Sequence, residues 1–393
     1  MQPESKGITA EELCEGIDVP REVVNFAHTP GTRVVFGPGT VEQAGDLVKG
    51  LGGSHVLLVT DSGILKAGHA EWLRGILRRS GLEVTIFSDV HENPTTDDVN
   101  ACVAVAQAAG IDLIVGLGGG SSLDTAKGCN FLLTNGGEMK DYWGIGKAGK
   151  PMLPFVAIPT TAGTGSECQS FALIADKQTH LKMACGDKKA SASIAILDPE
   201  LTLTQPAIVT AHTGVDAITH AVETAVTKKR SDISAQYSRL AFALLDRGFQ
   251  RVLREPKSLV ARSQMQLGAA YAGTAIENSM LGAAHSAANP LTAHFNIVHG
   301  DAVGVMIPHV VRMNASLDPV AAARYSELFD GDLAMRLEEH LDLAGVKRSL
   351  RDYGLDEADL PKLSAEAAEQ WTAQFNPVEV DAPGFEALYR GAM

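Results

Sequence analysis

The sequence predicts an α/β domain with a parallel sheet, followed by an all-helical domain. Three observations support this fold class. Continuous Val/Ile/Leu runs alternate with helical patterns over residues 55–133, as in parallel strands that are covered on both faces. After Pro206 strand patterns stop, and an Ala- and Leu-rich helical pattern continues almost to the end. A chain of 393 residues is also too long for one ordinary core. We therefore expect an N-terminal extension over 1–22, the α/β domain over 23–205 and the helical domain over 206–393.

The elements of the first domain follow in chain order. Residues 23–36 are strand-like and end in a Gly-Pro-Gly turn, and residues 41–51 have the pattern of an amphipathic helix. The alternation that follows predicts strands at 55–61, 82–90 and 111–119 and helices at 67–80, 96–110 and 122–133. The section 151–200 predicts a strand with a Thr/Gly loop, a hairpin and a last strand. In the helical domain, Gly and Pro residues predict breaks at Gly214, Pro256, Pro290, Pro308 and Pro361.

Composition and charge exclude several classes of partner. The formal net charge is −14, which argues against nucleic acid or an anionic membrane, because both are bound through clustered Lys and Arg. Backbone amides can still hold a small anionic group, so a nucleotide is not excluded. The 5 cysteines lack metal-binding spacing and indicate reduced thiols in the cytoplasm. The first twenty residues lack the apolar segment of a signal peptide, and no apolar run is long enough to span a membrane.

Four nitrogen and oxygen side chains between residues 213 and 300 have spacings that suit one metal ion. Asp216 and His220 are four apart and share a face if that segment is helical. His285 follows near the end of an Ala/Gly-rich helical run, and His299 comes after Pro290. Imidazole with carboxylate and no thiolate suits Fe(II) or Zn(II). There are two alternatives. Asp216 could form a helix-capping arrangement with Thr213, and the histidines could be packed structural residues.

The glycine-rich sequence GLGGGSSLDTAK, at 116–127, follows a buried strand and opens a helix. Its glycines allow the backbone to approach a phosphate, and the amides of Ser121 and Ser122 would face the phosphate charge. The G-x-G-x-x-G fingerprint is incomplete, because Ser121 occupies the third glycine position. The sequence therefore predicts either phosphate binding or only a tight strand-to-helix connection.

Several motifs together resemble the iron-containing (group III) alcohol dehydrogenases. They are GGGSSLDTAK, the loop IPTTAGTGSE at 158–167, the four metal-ligand candidates, and HVLLVTD and ENPT in the first domain. The resemblance extends from Val23 to beyond Asn314. It implies a Rossmann-like nucleotide-binding domain, an all-helical metal-binding domain and a cleft between them, the architecture that dehydroquinate synthases share.

The resemblance also implies roles for individual residues. Asp61 matches the acid that holds the adenosine ribose, which favours NAD over NADP because its carboxylate would repel a 2′-phosphate. For Asp61 the alternative is a role in a turn or a helix cap, and for Lys182 it is a solvated surface charge. The other cofactor positions implied are the pyrophosphate contacts Gly119, Gly120 and Ser121, the nicotinamide-ribose side Thr160, Thr161 and Thr164, and the further positions Asn93 and Lys182.

Asn289 departs from the family pattern, in which a histidine commonly follows His285 by four residues. An amide forms hydrogen bonds but cannot pass on a proton near neutral pH. We expect Asn289 to be a catalytic-site residue that faces the substrate, with a cap on a helix that ends before Pro290 as the alternative. His294 is expected to be structural.

The expected function is a metal-dependent alcohol dehydrogenase or aldehyde reductase. It would transfer a hydride between NAD(H) and a small alcohol or aldehyde at a divalent metal in the interdomain cleft, with Fe(II), or else Zn(II), as the Lewis acid. The resemblance also implies a homodimer, and the cysteines indicate that it is cytoplasmic. The alternatives are a dehydroquinate synthase-like lyase, which needs Lys and Arg near the ligands, and a maleylacetate reductase-like enzyme, which would lack some of the ligands.

Overall fold

The computed structural model describes residues 8–14, 31–179 and 181–393. Residues 23–30 of the first predicted strand, and most of the predicted extension, lie outside the described residues. The described chain forms two compact units. One contains 31–161 and 165–205, and the other contains 162–164 and 206–393 together with the short helix α1 (Ala10–Leu13). The predicted domain bounds at 22/23 and 205/206 remain our proposal.

The first unit is built on a parallel sheet, which confirms the predicted fold class. Its strands, with those of a smaller sheet, are β1 (Arg33–Phe36), β2 (His55–Asp61), β3 (Glu83–Val90), β4 (Leu113–Gly118), β5 (Gly144–Ile145), β6 (Phe155–Pro159), β7 (Phe171–Ala175), β8 (Lys182–Gly186) and β9 (Ile194–Leu197). Six strands pair in the order β1-β9-β6-β4-β2-β3, all parallel. The other three pair as β5-β8-β7, and β7 and β8 form the predicted hairpin. The carboxyl ends of β2, β4 and β6 thus lie side by side.

Helices cover both faces of the large sheet. Val56 and Leu58 of β2 belong to one buried cluster, and Leu57 and Val59 belong to another on the opposite face. This explains why the strand is apolar throughout and does not alternate. The helices are α2 (Ala44–Lys49), α3 (Ser62–Lys66), α4 (His69–Arg79), α5 (Thr96–Ala109) and α6 (Gly120–Asn135).

One predicted helix of this unit differs from the one observed, and one short helix was not predicted. The helix predicted over 67–80 is observed as α4, and the additional α3 precedes it, separated from it by Gly68 with a left-handed φ of 85°. The helix predicted over 41–51 begins instead as a 3-10 turn, Thr40–Gln43, and continues as the shorter α2. The break between α3 and α4 is a matter of local backbone geometry, because the left-handed region is open to glycine at little cost.

The second unit is helical, as predicted. Its helices are α7 (Ala207–Thr224), α8 (Asp232–Arg254), α9 (Leu259–Ser279), α10 (Ala283–Phe295), α11 (His299–Leu317), α12 (Pro319–Leu328), α13 (Leu333–Ala344), α14 (Leu360–Ala368) and α15 (Ala382–Gly391). No helix of the described residues is both long and apolar enough to cross a membrane.

Three of the predicted helix breaks are wrong. Pro290 and Pro308 lie inside α10 and α11, and Gly214 lies inside α7. Both prolines are buried, so core packing of these helices outweighs the one backbone hydrogen bond that each proline removes. Pro256 does lie between two helices, and Pro361 lies in the first turn of α14, where its missing N–H costs nothing.

Glycines bring α7 and α11 into backbone contact. A Cβ atom added at Gly300 would lie 2.1 Å from the carbonyl oxygen of His212, and one at Gly304 would lie 2.6 Å from Val215 Cγ1. The two glycines are four residues apart and share one face of α11. Any larger side chain at these positions would push α11 away from α7. This close approach fixes the first turn of α11, where His299 lies.

Candidate functional site

The structure brings all four predicted metal ligands together in the second unit. Asp216 and His220 lie one turn apart in α7, His285 is the third residue of α10, and His299 is the first residue of α11. The Nε2 atoms of His220, His285 and His299 lie 3.3, 3.5 and 3.9 Å from Asp216 Oδ1. Three helices therefore direct three imidazoles at one carboxylate oxygen.

Two expectations about this region are wrong. His285 lies at the beginning of its helix and not near the end, because α10 continues through Pro290 to Phe295. The capping alternative for Asp216 fails as well, since both Thr213 and Asp216 lie inside α7. Thr213 Oγ1 instead donates a hydrogen bond of 2.8 Å to the carbonyl of Val209, one turn earlier.

The burial of the cluster fits a bound cation. Asp216, His220 and His285 are each 5% exposed, and their donor atoms lie within 4.8 Å of one another. Asp216 Oδ1 and His285 Nε2 are buried without a hydrogen-bond partner. Buried polar atoms are nearly always satisfied, so two orphaned ones that face each other need an explanation. A divalent ion satisfies both, and a set of imidazoles with one carboxylate suits Fe(II) or Zn(II).

The protonation states of Asp216 and His220 suit a cation, whereas at His285 a cation competes with a proton. Burial raises the pKa of the Asp216 carboxyl, but His220 and the other two imidazoles outweigh burial and hold this pKa well below its ordinary value. Burial lowers the pKa of His220. Burial also opposes a charge on His285, but the carboxylates of Glu223 and Asp216 raise its pKa to about 9. A cation that binds His285 Nε2 must therefore displace a proton.

Glu223 completes the site, and the sequence analysis missed it. Its Oε2 atom accepts a hydrogen bond of 2.6 Å from His285 Nδ1 and one of 3.1 Å from the Gly282 amide. Its Oε1 atom accepts a bond of 2.7 Å from the Ala284 amide. A single buried carboxylate thus caps the start of α10 and fixes the His285 ring with Nε2 toward Asp216. The available signal was spacing, because Glu223 follows Asp216 by seven residues and so shares its helix face.

The first unit assembles most of the predicted cofactor residues at the carboxyl ends of β2, β4 and β6. Asp61 Oδ2 lies 3.3 Å from Ser122 Oγ, in the turn where Gly119, Gly120 and Ser121 lead from β4 into α6. The Thr160 amide donates a 3.0 Å hydrogen bond to the Gly118 carbonyl, and a Cβ at Gly119 would lie 3.4 Å from Thr161 Cγ2. The open backbone at the start of α6 is the kind of site that binds a phosphate.

Asp61 also has the cap role that was its alternative. Its Oδ1 atom accepts hydrogen bonds from the amides of Gly63 and Ile64, at 2.8 and 3.0 Å, at the start of α3. The second oxygen remains directed at the glycine turn. The two roles are therefore compatible, since each uses a different carboxylate oxygen.

Asn93 and Lys182 lie near each other at another part of this unit. Asn93 is exposed, with a left-handed φ of 52°, and its neighbour Pro94 accepts a 2.9 Å hydrogen bond from Ala175. Ala175 in turn pairs with Lys182 across the β7–β8 hairpin. Thr164 belongs to the segment 162–164, which is part of the second unit.

Asn289 does not cap a helix end, so the alternative reading of this residue is wrong. It lies inside α10, one turn after His285, and is half-buried. Its Nδ2 atom donates a 2.9 Å hydrogen bond to Gln370 Oε1. His294 lies further along the same helix, where Nε2 is 2.7 Å from Glu366 Oε2. The structure thus places Asn289 on the turn that follows the candidate metal ligand.

Comparison with known proteins identifies both halves of the chain. Residues 31–199 match the family described as iron-containing alcohol dehydrogenase, and residues 210–393 match the C-terminal part of the same family. Alcohol dehydrogenase 4 of Schizosaccharomyces pombe is 34% identical, over 91% of this chain and 87% of that protein. The NAD-dependent methanol dehydrogenase of Bacillus methanolicus is 32% identical, over 90% and 96%. The crystal structure of a 1,3-propanediol oxidoreductase superposes with a TM-score of 0.89 at 32% identity, covering 93% of this chain and 98% of that one.

Glu223→Gln tests the contribution of this carboxylate. The amide cannot accept the His285 Nδ1–H and also keep both backbone contacts, so His285 loses its fixed orientation. We expect affinity for Zn(II) to fall by roughly 10–100-fold, as for other residues that orient a metal ligand. Competition with a chromophoric chelator measures this affinity for Zn(II). Glu369→Gln, at an exposed position on the same unit, is the matched control. Equal zinc affinity in the two variants would show that Glu223 only caps the helix.

Proposed function

Because the chain belongs to the iron-containing alcohol dehydrogenase family, we propose that it transfers a hydride between NAD(H) and a small alcohol or aldehyde, with Fe(II) held by Asp216, His220, His285 and His299. The chain is an oxidoreductase that acts on CH–OH groups, as its relatives are. The observation that carries the proposal is the convergence of three imidazoles on one buried, unsatisfied carboxylate oxygen.

The bound ion would supply Lewis acidity toward the substrate oxygen. The protein's part is orientation. Glu223 fixes the ring of His285, and the backbone contact at Gly300 fixes the turn that carries His299. Burial excludes water from the carboxylate and from two of the imidazoles, which strengthens every electrostatic interaction among them. No nucleophilic side chain is required.

We assign the cofactor to the first unit, with the dinucleotide pyrophosphate at the start of α6. Gly119, Gly120 and Ser121 would contact it through the backbone, and Asp61 would accept hydrogen bonds from the adenosine ribose. The NAD dependence of the methanol dehydrogenase relative supports this choice of cofactor. The residues assigned to the nicotinamide side or to further cofactor contacts are Thr160, Thr161, Thr164, Asn93 and Lys182.

The two alternative enzyme classes have no support. A dehydroquinate synthase-like lyase needs basic residues for a phosphorylated substrate, and residues 281–300 contain neither Lys nor Arg. A reductase without a metal would lack part of the donor set, and all four donors are present. We further propose that the protein is a cytoplasmic homodimer. Zn(II) is the alternative to Fe(II) at the metal site, because the same donor set accepts either ion.

His285→Ala tests the proposed function. Removing this imidazole should abolish stoichiometric iron and most alcohol-dependent NADH formation, while the circular dichroism spectrum stays that of the parent. Elemental analysis and an anaerobic assay over short alcohols, diols and aldehydes measure both. His294→Ala, in the same helix but bound to Glu366, is the control and should change neither. A parent protein that takes up no divalent metal, or an H285A variant with parental metal content, contradicts the proposal.

Asp61→Asn tests the cofactor preference. Asparagine keeps the capping acceptor for α3 but removes the charge that would repel a 2′-phosphate. We expect the ratio of kcat/KM with NADP to kcat/KM with NAD to rise by a factor that corresponds to about 1–3 kcal/mol. Asp112→Asn is the control, since Asp112 also accepts backbone amides in this unit, from Ser54 and His55. A parent enzyme that already prefers NADP refutes the assignment.

Asn289→His tests our proposal that Asn289 orients a second polar group of the substrate. An imidazole titrates near neutrality, so the variant should shift substrate preference or the pH dependence of turnover. Gln370→Leu removes the partner of Asn289 while Asn289 itself remains, and serves as the control for a structural role. If Asn289→His and Gln370→Leu both change only thermal stability, Asn289 merely packs against α14 and the segment that follows it.

A further inference from the structure

A lysine is buried in the helix that begins at the glycine turn. Lys127 lies two turns into α6 and is 1% exposed. Its Nζ atom donates hydrogen bonds to the Ser166 carbonyl, the Ser166 hydroxyl and the Phe171 carbonyl, at 2.6, 2.8 and 2.8 Å. An ammonium group has three N–H donors, so each donor is used. A buried charge is costly to desolvate, and these contacts are what compensate it.

Asp124, one turn earlier in α6, holds the same segment of the chain. Its Oδ1 atom accepts a 2.6 Å hydrogen bond from Ser166 Oγ, and its Oδ2 atom accepts one of 3.2 Å from the Leu173 amide. The Ser166 hydroxyl therefore accepts from Lys127 and donates to Asp124. Asp124 Oδ1 and Lys127 Nζ are 3.8 Å apart, and both residues are buried. A buried polar network of this kind specifies one arrangement of its members, and here it fixes Ser166 against α6.

The loop that follows β6 is attached at both ends to the elements that flank the glycine turn. At its start, the Thr160 amide donates a 3.0 Å hydrogen bond to the Gly118 carbonyl at the end of β4. At its end, Ser166 is held by α6. Thr161 and Thr164, which with Thr160 are assigned to the nicotinamide side, lie between these two attachments. The position of the loop relative to the glycine turn therefore depends on the contacts at both ends.

We propose that Lys127 and Asp124 are positioning residues for the nicotinamide half of the cofactor. They hold the end of the threonine loop at a fixed place relative to the turn that would bind the pyrophosphate. Neither side chain is assigned a contact with the cofactor, because both are engaged inside the protein. The inference rests on the proposed function, in which the glycine turn holds the pyrophosphate and the threonines line the nicotinamide-ribose side.

Lys127→Met tests this role through the binding of two nucleotides. NADH extends over both halves of the proposed cofactor site, whereas ADP carries only the adenosine and pyrophosphate part. The variant should bind NADH roughly tenfold more weakly, as expected for the loss of hydrogen bonds from a charged donor. It should bind ADP as the parent does. Fluorescence titration measures the NADH affinity, and calorimetry measures the ADP affinity. Lys49→Met, which removes a lysine contact to the Ser80 carbonyl in the same unit, is the control and should change neither affinity.

Ser166→Ala is a milder variant that tests the same network. Burial raises the pKa of the nearby Glu167 carboxyl to about 7, although its own backbone amide and the charge of Lys127 oppose this shift. Replacing Lys127 removes a charge that opposes protonation of Glu167 and Asp124, and so can destabilise the fold. Ser166→Ala keeps that charge and both carbonyl contacts, but removes the hydroxyl that joins Lys127 to Asp124. It should weaken NADH binding and leave ADP binding unchanged.

The two nucleotides separate this inference from a structural role and from the function on which it rests. Equal weakening of NADH and ADP binding means that the network only stabilises the fold, and overturns the inference. Parental NADH affinity in Lys127→Met overturns it as well, and Ser166→Ala decides if Lys127→Met does not fold. If the parent itself binds neither nucleotide, the proposed cofactor site fails and the inference fails with it.

Discussion

The carboxylate of Glu223 is the contact on which the candidate metal centre depends. It holds the first amides of α10 and the Nδ1 side of His285 from one position at the end of α7. A helix N-terminus presents unsatisfied amides and a partial positive charge, so a buried carboxylate there is stabilised by both. Because the same group orients His285, the position of the helix and the position of the donor atom cannot vary independently.

The charges of the centre are consistent with a divalent cation. Burial would by itself favour the neutral carboxylic acids, yet nearby imidazoles and backbone amides hold the pKa values of Asp216 and Glu223 below their ordinary range. Two buried carboxylates and one protonated His285 leave one net negative charge. A divalent ion that displaces the His285 proton leaves these groups with no net charge. Buried charge is tolerated where it is neutralised and hydrogen-bonded, and a bound divalent ion would complete this balance.

Periodicity and spacing were sufficient to predict the fold class and the four candidate ligands. The i, i+4 spacing of Asp216 and His220 depends only on helical geometry, and the parallel sheet follows from apolar runs that alternate with helices. The role of Glu223 could not be predicted in the same way, since it requires α10 to begin beside the end of α7. Pro290 misled the analysis because a local rule predicts a break, whereas tertiary packing keeps the helix intact.

Small residues explain how the second unit holds three imidazoles so close to one carboxylate. Gly300 and Gly304 let α11 touch the backbone of α7, and Gly282 lies against Glu223, where a Cβ would be 3.2 Å from Oε1. Such contacts cannot be replaced by longer side chains, which would carry rotamer freedom and move the helices apart. Rigid backbone contacts position donor atoms more accurately than flexible side chains do. The glycines that weaken these helices locally are therefore required where the helices meet at the site.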